Sequence, residues 1–191
     1  MKNHLMVAVK FTLITTLLFG LLYPLAVTGL SQLLFPKQAN GSLIEKNGQV
    51  LGSRLIGQAF SSDKYFHSRP SAAGSGYDAT ASSGSNLAPT NQQLVDRVKQ
   101  DVARLQQENP GVPIPGDLVT ASGSGLDPDL SPAAGEFQIP RIARARGINA
   151  DSLRPLIARH TQPRQWGILG ESRVNVLELN LELDTSFPAR Q

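Results

Sequence analysis

The chain has 191 residues, with 18 lysines and arginines against 15 aspartates and glutamates, three histidines and no cysteine. The small positive excess contains no run of basic residues, and aromatic side chains are few, so composition offers neither the basic stripe nor the stacking platform that nucleic acid requires. The lack of cysteine excludes disulfides and thiolate metal sites.

Residues 1–10 form a short N-terminal segment carrying Lys2, His4 and Lys10. From Phe11 to Phe35 no side chain is charged, and Leu, Ile, Phe and Val dominate. An uncharged run of roughly 18 or more such residues predicts a membrane-spanning helix. Gly20, Pro24 and Gly29 would weaken a helix in water, but a bilayer tolerates them. A cleaved signal peptide would be shorter and would end in a small-x-small site, which is missing here. Positive charge gathers on the cytoplasmic side of spans. Lys2, Lys10 and the amino terminus outweigh Lys37 and the Glu45–Lys46 pair near the other end. The expectation is a cytoplasmic amino terminus and an extracytoplasmic domain over residues 36–191, large enough for one core.

Within that domain, residues 36–41 read as a juxtamembrane break. Asn47-Gly48 lies between short apolar runs and predicts a hairpin, with residues 53–58 continuing its sheet. The segment Tyr65-Phe66-His67-Ser68-Arg69-Pro70-Ser71 is dense in aromatic and basic groups. His67 has the titration range of a general base, but no nucleophile or orienting carboxylate stands near it in sequence, so a structural or interface role is expected. Residues 71–90, rich in Ala, Gly, Ser and Asn, read as an ordered surface loop. Thr90-x-x-Gln93 fits a capping box opening a helix, with Leu94, Val98, Val102 and Leu105 as its apolar stripe and Pro110 ending it.

Residues 117–120 read as a short strand leading into the Gly- and Ser-rich turn 121–129. That turn lacks the lysine of a phosphate loop and the glycine spacing of a dinucleotide site. Ser131-Pro132 predicts a helix start. Ile139-Pro140 is expected to interrupt it, and Arg141, Arg144 and Arg146 to form a solvated basic face on a second helix closed by Gly147. Asp127, Asp129 and Glu136 are candidate partners for those arginines. A further helix starts at Asn149 or Asp151, followed by a turn at residues 164–170 with Trp166 buried. Residues 173–183 alternate like a strand, yet Asn175-x-x-Glu178 also serves as a helix start, and helix is slightly favoured. The fold class expected is α+β: one N-terminal transmembrane helix followed by a single mixed helix/strand domain.

Several stretches together resemble the C subunits of the bacterial Kdp potassium-transporting ATPase. They are residues 23–29 at the end of the span, residues 65–71, 83–91 and 119–128, and Arg173 to Leu181. Ala88, Asp129 and Gly135 depart from the pattern. The resemblance implies an accessory subunit in the inner membrane, single-pass, with a periplasmic domain. Its implied partners are a potassium-binding A subunit, a P-type ATPase B subunit and a small F subunit, besides membrane lipid. It implies a catalytic chaperone that raises the ATP affinity of the B subunit and stabilises the complex, with no catalytic residue, metal or cofactor of its own. A signature over residues 130–138 makes Ser131 and Gln138 the candidate nucleotide contacts, with ATP shared with the B subunit. Interface candidates are Tyr65, His67, Arg69, Asn86, Asn175 and Asn180. An outside domain cannot reach cytosolic ATP, so capping of the external potassium entrance, with long-range coupling to nucleotide affinity, is the physical alternative. A membrane-tethered hydrolase using His67 or His160, or a stand-alone nucleotide-binding protein, are the competing readings. The first lacks a nucleophile and base at recognisable spacing, and the second lacks a phosphate loop.

Overall fold

A computed structural model describes residues 2–188 of the chain. It divides into two compact units, one ending at Leu51 and one beginning at Gly52.

The first unit is dominated by one continuous helical rod, Lys2–Leu34. It consists of α1 (Lys2–Leu17), a π-helical turn at Leu18–Leu22 and α2 (Tyr23–Leu34). Neither α1 nor α2 buries a residue, and Leu5, Phe11, Ile14, Phe19, Leu25 and Leu33 all face outward. The rod is long and apolar enough to cross a membrane. It starts at Lys2 rather than Phe11, because nothing in residues 2–10 breaks a helix. It stops one residue before the end of the apolar run: Pro36 pushes Phe35 out of the helical region, to φ −137°. Thr15 returns its hydroxyl to the carbonyl of Phe11 at 2.8 Å, so this polar side chain is satisfied within its own helix.

Residues 36–41 are less of a break than expected. Pro36–Ala39 forms one helical turn, α3, and the amides of Asn40 and Gln32 pair at 3.1 and 3.3 Å. The hairpin forms as the sequence dictates: β1 (Leu43–Lys46) and β2 (Gln49–Ser53) are joined through Asn47 and Gly48, at φ 53° and 76°. The sheet ends at Ser53, where Ser53 Oγ accepts from Leu55 N at 3.1 Å and turns the chain, so residues 54–58 do not extend it.

The second unit has helices packed around a small antiparallel sheet. Its helices are α4 (Gln92–Glu108), α5 (Pro132–Arg146), α6 (Arg154–His160) and α7 (Val176–Ser186). Strands β3 (Asp129–Leu130), β4 (Thr161–Gln162) and β5 (Arg173–Asn175) pair in the order β3-β5-β4, with Leu130 and Thr161 both opposite Val174. The α+β class and the N-terminal apolar helix are thus present. Leu105, Leu130, Phe137, Ile142, Leu156, Ile157, Val174 and Leu183 belong to one core.

Four local expectations change. The cap of α4 is Asn91, whose side chain accepts from Gln93 N at 2.8 Å; Thr90 lies outside. Residues 116–118 form a 3-10 turn in place of a strand. Pro140 does not end a helix: α5 runs unbroken from its Ser131 cap to Gly147, which takes the left-handed conformation at φ 67°. Pro140 is tolerated because it sits toward the solvent-facing stripe with Ala133, Glu136 and Arg144. There the carbonyl left without its helical partner can meet water. Residues 173–183 resolve into both alternatives. The strand β5 ends at Asn175, whose side chain then caps α7 by accepting from Glu178 N at 3.1 Å.

Candidate functional site: a strap clamped by buried amides

The stretch 62–71 has no regular secondary structure, yet Phe66 within it is wholly buried. A buried irregular backbone must find hydrogen-bond partners elsewhere. It finds them in two side-chain amides. Asn180, on α7, accepts from Phe66 N and donates to Phe66 O, both at 2.9 Å. Gln138, on α5, accepts from His67 N at 2.7 Å and donates to His67 O at 3.1 Å. Two consecutive residues therefore have both peptide groups held by amides from opposite helices, as a β-ladder would hold them.

Two arginines of α5 complete the clamp. Arg146 has a side chain only 1% exposed. It donates to Lys64 O, Phe187 O and Asp184 Oδ1, each at 2.7 Å, and its guanidinium lies 4.9 Å from the centre of the Tyr65 ring. Tyr65 donates its hydroxyl to Asp184 Oδ2 at 2.9 Å, and burial raises its pKa above the usual phenol value. Arg141 donates to Asp63 O at 2.9 Å and to Gln138 Oε1 at 2.7 Å, and its Nε lies 3.4 Å from Glu108. The basic face expected of Arg141, Arg144 and Arg146 is therefore not solvated. Two of the three point inward, and only Arg144 is exposed. The proposed acidic partners serve other arginines: Asp127 pairs with Arg69, Asp129 with Arg173 and Glu136 with Arg154. Asp129 is half-buried, and that desolvation raises its pKa despite Arg173.

His67 closes the cluster. Its Nε2 lies 3.0 Å from Ser62 O and 3.3 Å from Arg141 Nη1. Desolvation first, and the Arg141 cation second, push its pKa below the ordinary imidazole value. The neutral ring can donate to Ser62 O or accept from Arg141 through that nitrogen, one at a time. A cavity of about 200 Å³ opens beside it, lined by His67, Asp101, Arg104, Glu108 and Gln138 among others. Its charges are matched: Arg104 lies 3.6 Å from Asp101 and 2.6 Å from Glu108. Among the described residues no group of three His, Cys, Asp or Glu side chains could hold a metal ion.

The candidate residues divide accordingly. Gln138 makes four hydrogen bonds, the fourth to Ala134 O at 3.2 Å, which uses every donor and acceptor site of its amide. Ser131 Oγ accepts from Ala134 N at 3.0 Å as the helix cap. Asn175 and Asn180 are buried, and Asn175 donates to Arg54 O at 2.9 Å. Arg69 reaches Asp127 Oδ2 at 2.8 Å. Asn86 stands apart, exposed and in the left-handed region at φ 51°. The turn 121–129 packs on the same strap: Ser71 Oγ donates to Gly125 O at 2.6 Å, and a Cβ on Gly125 would lie 2.6 Å from Ala73 N and Ser83 O. The inward packing of Arg141 and Arg146 is what reading the sequence missed. The available signal was the exposed stripe 133, 136, 140, 144, which becomes visible only if the helix runs through Pro140.

These packed stretches are largely the ones that carry the resemblance, and comparison with known proteins agrees. The model of the K+-transporting ATPase C chain, KdpC, matches residues 5–185. The chain belongs to the KdpC family. The potassium-transporting ATPase KdpC subunit of Koribacter versatilis is 60% identical over 188 residues, covering 98% of this chain and 97% of that protein. That of Acidobacterium capsulatum is 60% identical over 182 residues, covering 95% and 98%. That of Caulobacter vibrioides is 56% identical over 189 residues, covering 98% and 96%. The clamping side chains Gln138, Arg141, Arg146 and Asn180 lie within the matched residues.

Proposed function

We propose that this chain is a non-catalytic accessory subunit of an ATP-driven potassium uptake complex. The rod Lys2–Leu34 crosses the bilayer with its amino terminus in the cytoplasm. The domain that follows lies outside, docks on the potassium-binding subunit and caps its external entrance. Through the assembled complex it raises the ATP affinity of the P-type ATPase subunit, which makes it a catalytic chaperone acting at a distance. The observation that carries this reading is the saturation of Gln138. A glutamine only 2% exposed, with all four of its hydrogen-bonding sites filled by the protein, has nothing left to offer a nucleotide. An effect on ATP binding must then pass through coupling between sites, and such coupling is reciprocal: potassium affinity and nucleotide affinity should change together.

The test compares the complex purified with and without this chain. The apparent affinity for ATP is measured in the steady state across a potassium titration. Loss of the chain is expected to lower apparent ATP affinity, with the difference depending on potassium. Direct transfer of radiolabel from photoactivatable ATP to this chain would overturn the indirect mechanism. Topology is tested separately. Because the sequence has no cysteine, Ala79→Cys places a single thiol at an exposed site. An impermeant thiol reagent should label it in spheroplasts, and labelling confined to inverted vesicles would put the domain inside.

A further inference from the structure

The one tryptophan of the chain does not enter the core. Trp166 is 87% exposed, Ile168 75% and Leu169 49%. They lie in a tight hairpin after β4. Gln165 and Leu169 exchange hydrogen bonds in both directions at 2.9 and 3.0 Å; Gly167 N reaches Arg164 O at 3.1 Å, and Ile168 N reaches Gln165 O at 3.2 Å. The turn places Trp166 at φ 52° and Gly167 at φ 77°. A bulky side chain in the left-handed region carries a steric cost that no internal contact of this exposed Trp offsets. From Gln165 to Gly170 no side chain is charged, and the first charges on either side, Arg164 and Glu171, pair at 2.6 Å at the neck.

We infer that the 164–171 hairpin is a shallow membrane anchor, dipping Trp166, Ile168 and Leu169 into the interfacial layer of a lipid bilayer. Three features favour lipid over a protein groove. The tip is an exposed turn that bonds the N–H groups of Gln165, Gly167, Ile168 and Leu169 within itself, and at headgroup depth water still reaches the carbonyls of Trp166, Gly167 and Ile168. Tryptophan at the tip with an arginine at the neck suits the boundary between acyl chains and headgroups, where indole rings and basic side chains concentrate. The chain also brings its own bilayer. This step rests on the membrane-crossing role proposed for Lys2–Leu34. Residues 35–51 can extend by at most roughly 3.5 Å each, so the domain stays within tens of ångströms of the lipid. Such a tether makes weak apolar insertion effectively intramolecular.

Trp166 is its own reporter, since no other residue of the chain gives tryptophan fluorescence. The full chain is reconstituted alone into phosphatidylcholine vesicles and recovered by flotation. Its emission is then read with ordinary lipid, with lipid brominated near the top of the acyl chains, and with iodide in the aqueous phase. The expected result is a blue-shifted emission that brominated lipid quenches severalfold and iodide barely affects. Replacing both Ile168 and Leu169 by serine leaves the probe in place, and should weaken bromine quenching and restore iodide access. If the chain floats with the vesicles but Trp166 remains open to iodide and insensitive to bromine, the anchor does not exist. If Trp166 becomes shielded only when the other ATPase subunits are added, without bromine quenching, the hairpin docks on protein and the inference is wrong. If the chain fails to float, the membrane-crossing reading fails and takes this one with it.

Discussion

Helix α5 and the 164–171 hairpin break the ordinary rule of burial in opposite directions. The helix takes two arginines and a glutamine inside, while the hairpin leaves a tryptophan, an isoleucine and a leucine outside. The difference teaches that hydrogen-bond closure, more than polarity, decides what this chain buries. Arg146 goes inside because three acceptors at 2.7 Å and an aromatic face receive it. The hairpin can stay outside because four of its N–H groups are bonded within the turn and its tip carbonyls face solvent. One region is ordered by what surrounds it, and the other carries its own order.

The largest test of this contrast is Arg146→Met. The apolar stem survives, but Asp184 Oδ1 and the carbonyls of Lys64 and Phe187 lose the donors that Arg146 supplied, while Asp184 Oδ2 keeps the Tyr65 hydroxyl. Hydrogen bonds to a charged group contribute about 1.5–3 kcal/mol each, so the two carbonyls dominate the loss, while Asp184, with 34% of its side chain exposed, can turn to water. For a domain of this size the melting temperature should fall by about 6 °C or more, at roughly 2–4 °C per kcal/mol. Near-ultraviolet circular dichroism of the detergent-solubilised chain gives the value, and a change under 2 °C would mean that the guanidinium contributes nothing net.

Next come Gln138→Leu and Asn180→Leu. Each leaves a buried peptide N–H and C=O unpaired, at about 1–3 kcal/mol per group. The two amides hold adjacent residues of one strap, so the first cut should free what the second would have lost. The double variant is therefore expected to lose less than the sum of the singles, by about 0.5–3 kcal/mol. Strict additivity would show that Phe66 and His67 are held independently.

A smaller effect concerns acid. His67 has a pKa below the ordinary 6.5 in the folded domain, because burial and then Arg141 disfavour its cation. The unfolded chain thus binds the proton more readily. Stability should fall as pH drops through about 6.5 and level off below the folded value. His67→Gln keeps a polar group facing Ser62 O and removes the titration. Melting curves of the variant should be flatter than those of the parent chain across this window, and identical slopes would assign the acid sensitivity to other groups.

Legibility in the sequence followed range. Asn47-Gly48 gave the hairpin, and Ser131-Pro132 and Asn175-x-x-Glu178 gave two helix starts, because each signal acts within four residues. The clamp was hidden because Phe66 and Asn180 lie 114 positions apart and His67 and Gln138 lie 71 apart. Pro140 concealed it further. A proline reads as a helix breaker, yet its cost depends on which face of the helix it occupies, and that face is set by packing. Trp166 was misjudged for the converse reason: large aromatics are usually buried, and nothing local in Arg164-Gln165-Trp166-Gly167 says that the turn points outward.

The smallest expected loss of stability is the sharpest discriminator. Trp166→Gly removes the largest side chain in the protein from a position that contacts solvent. In a core, the loss of a tryptophan costs about 3–5 kcal/mol. Here the lost burial is slight, and glycine relieves a left-handed backbone that costs an ordinary residue about 1–2 kcal/mol. Against that stands the extra freedom of glycine in the unfolded chain, about 0.5–1 kcal/mol. The balance is about 0–1.5 kcal/mol in favour of glycine, so the detergent-solubilised chain should melt no more than about 2 °C below the parent, and up to about 6 °C above it. A larger fall would mean that the indole supports the domain from within, and the contrast between the closed helix and the self-ordered hairpin would be lost.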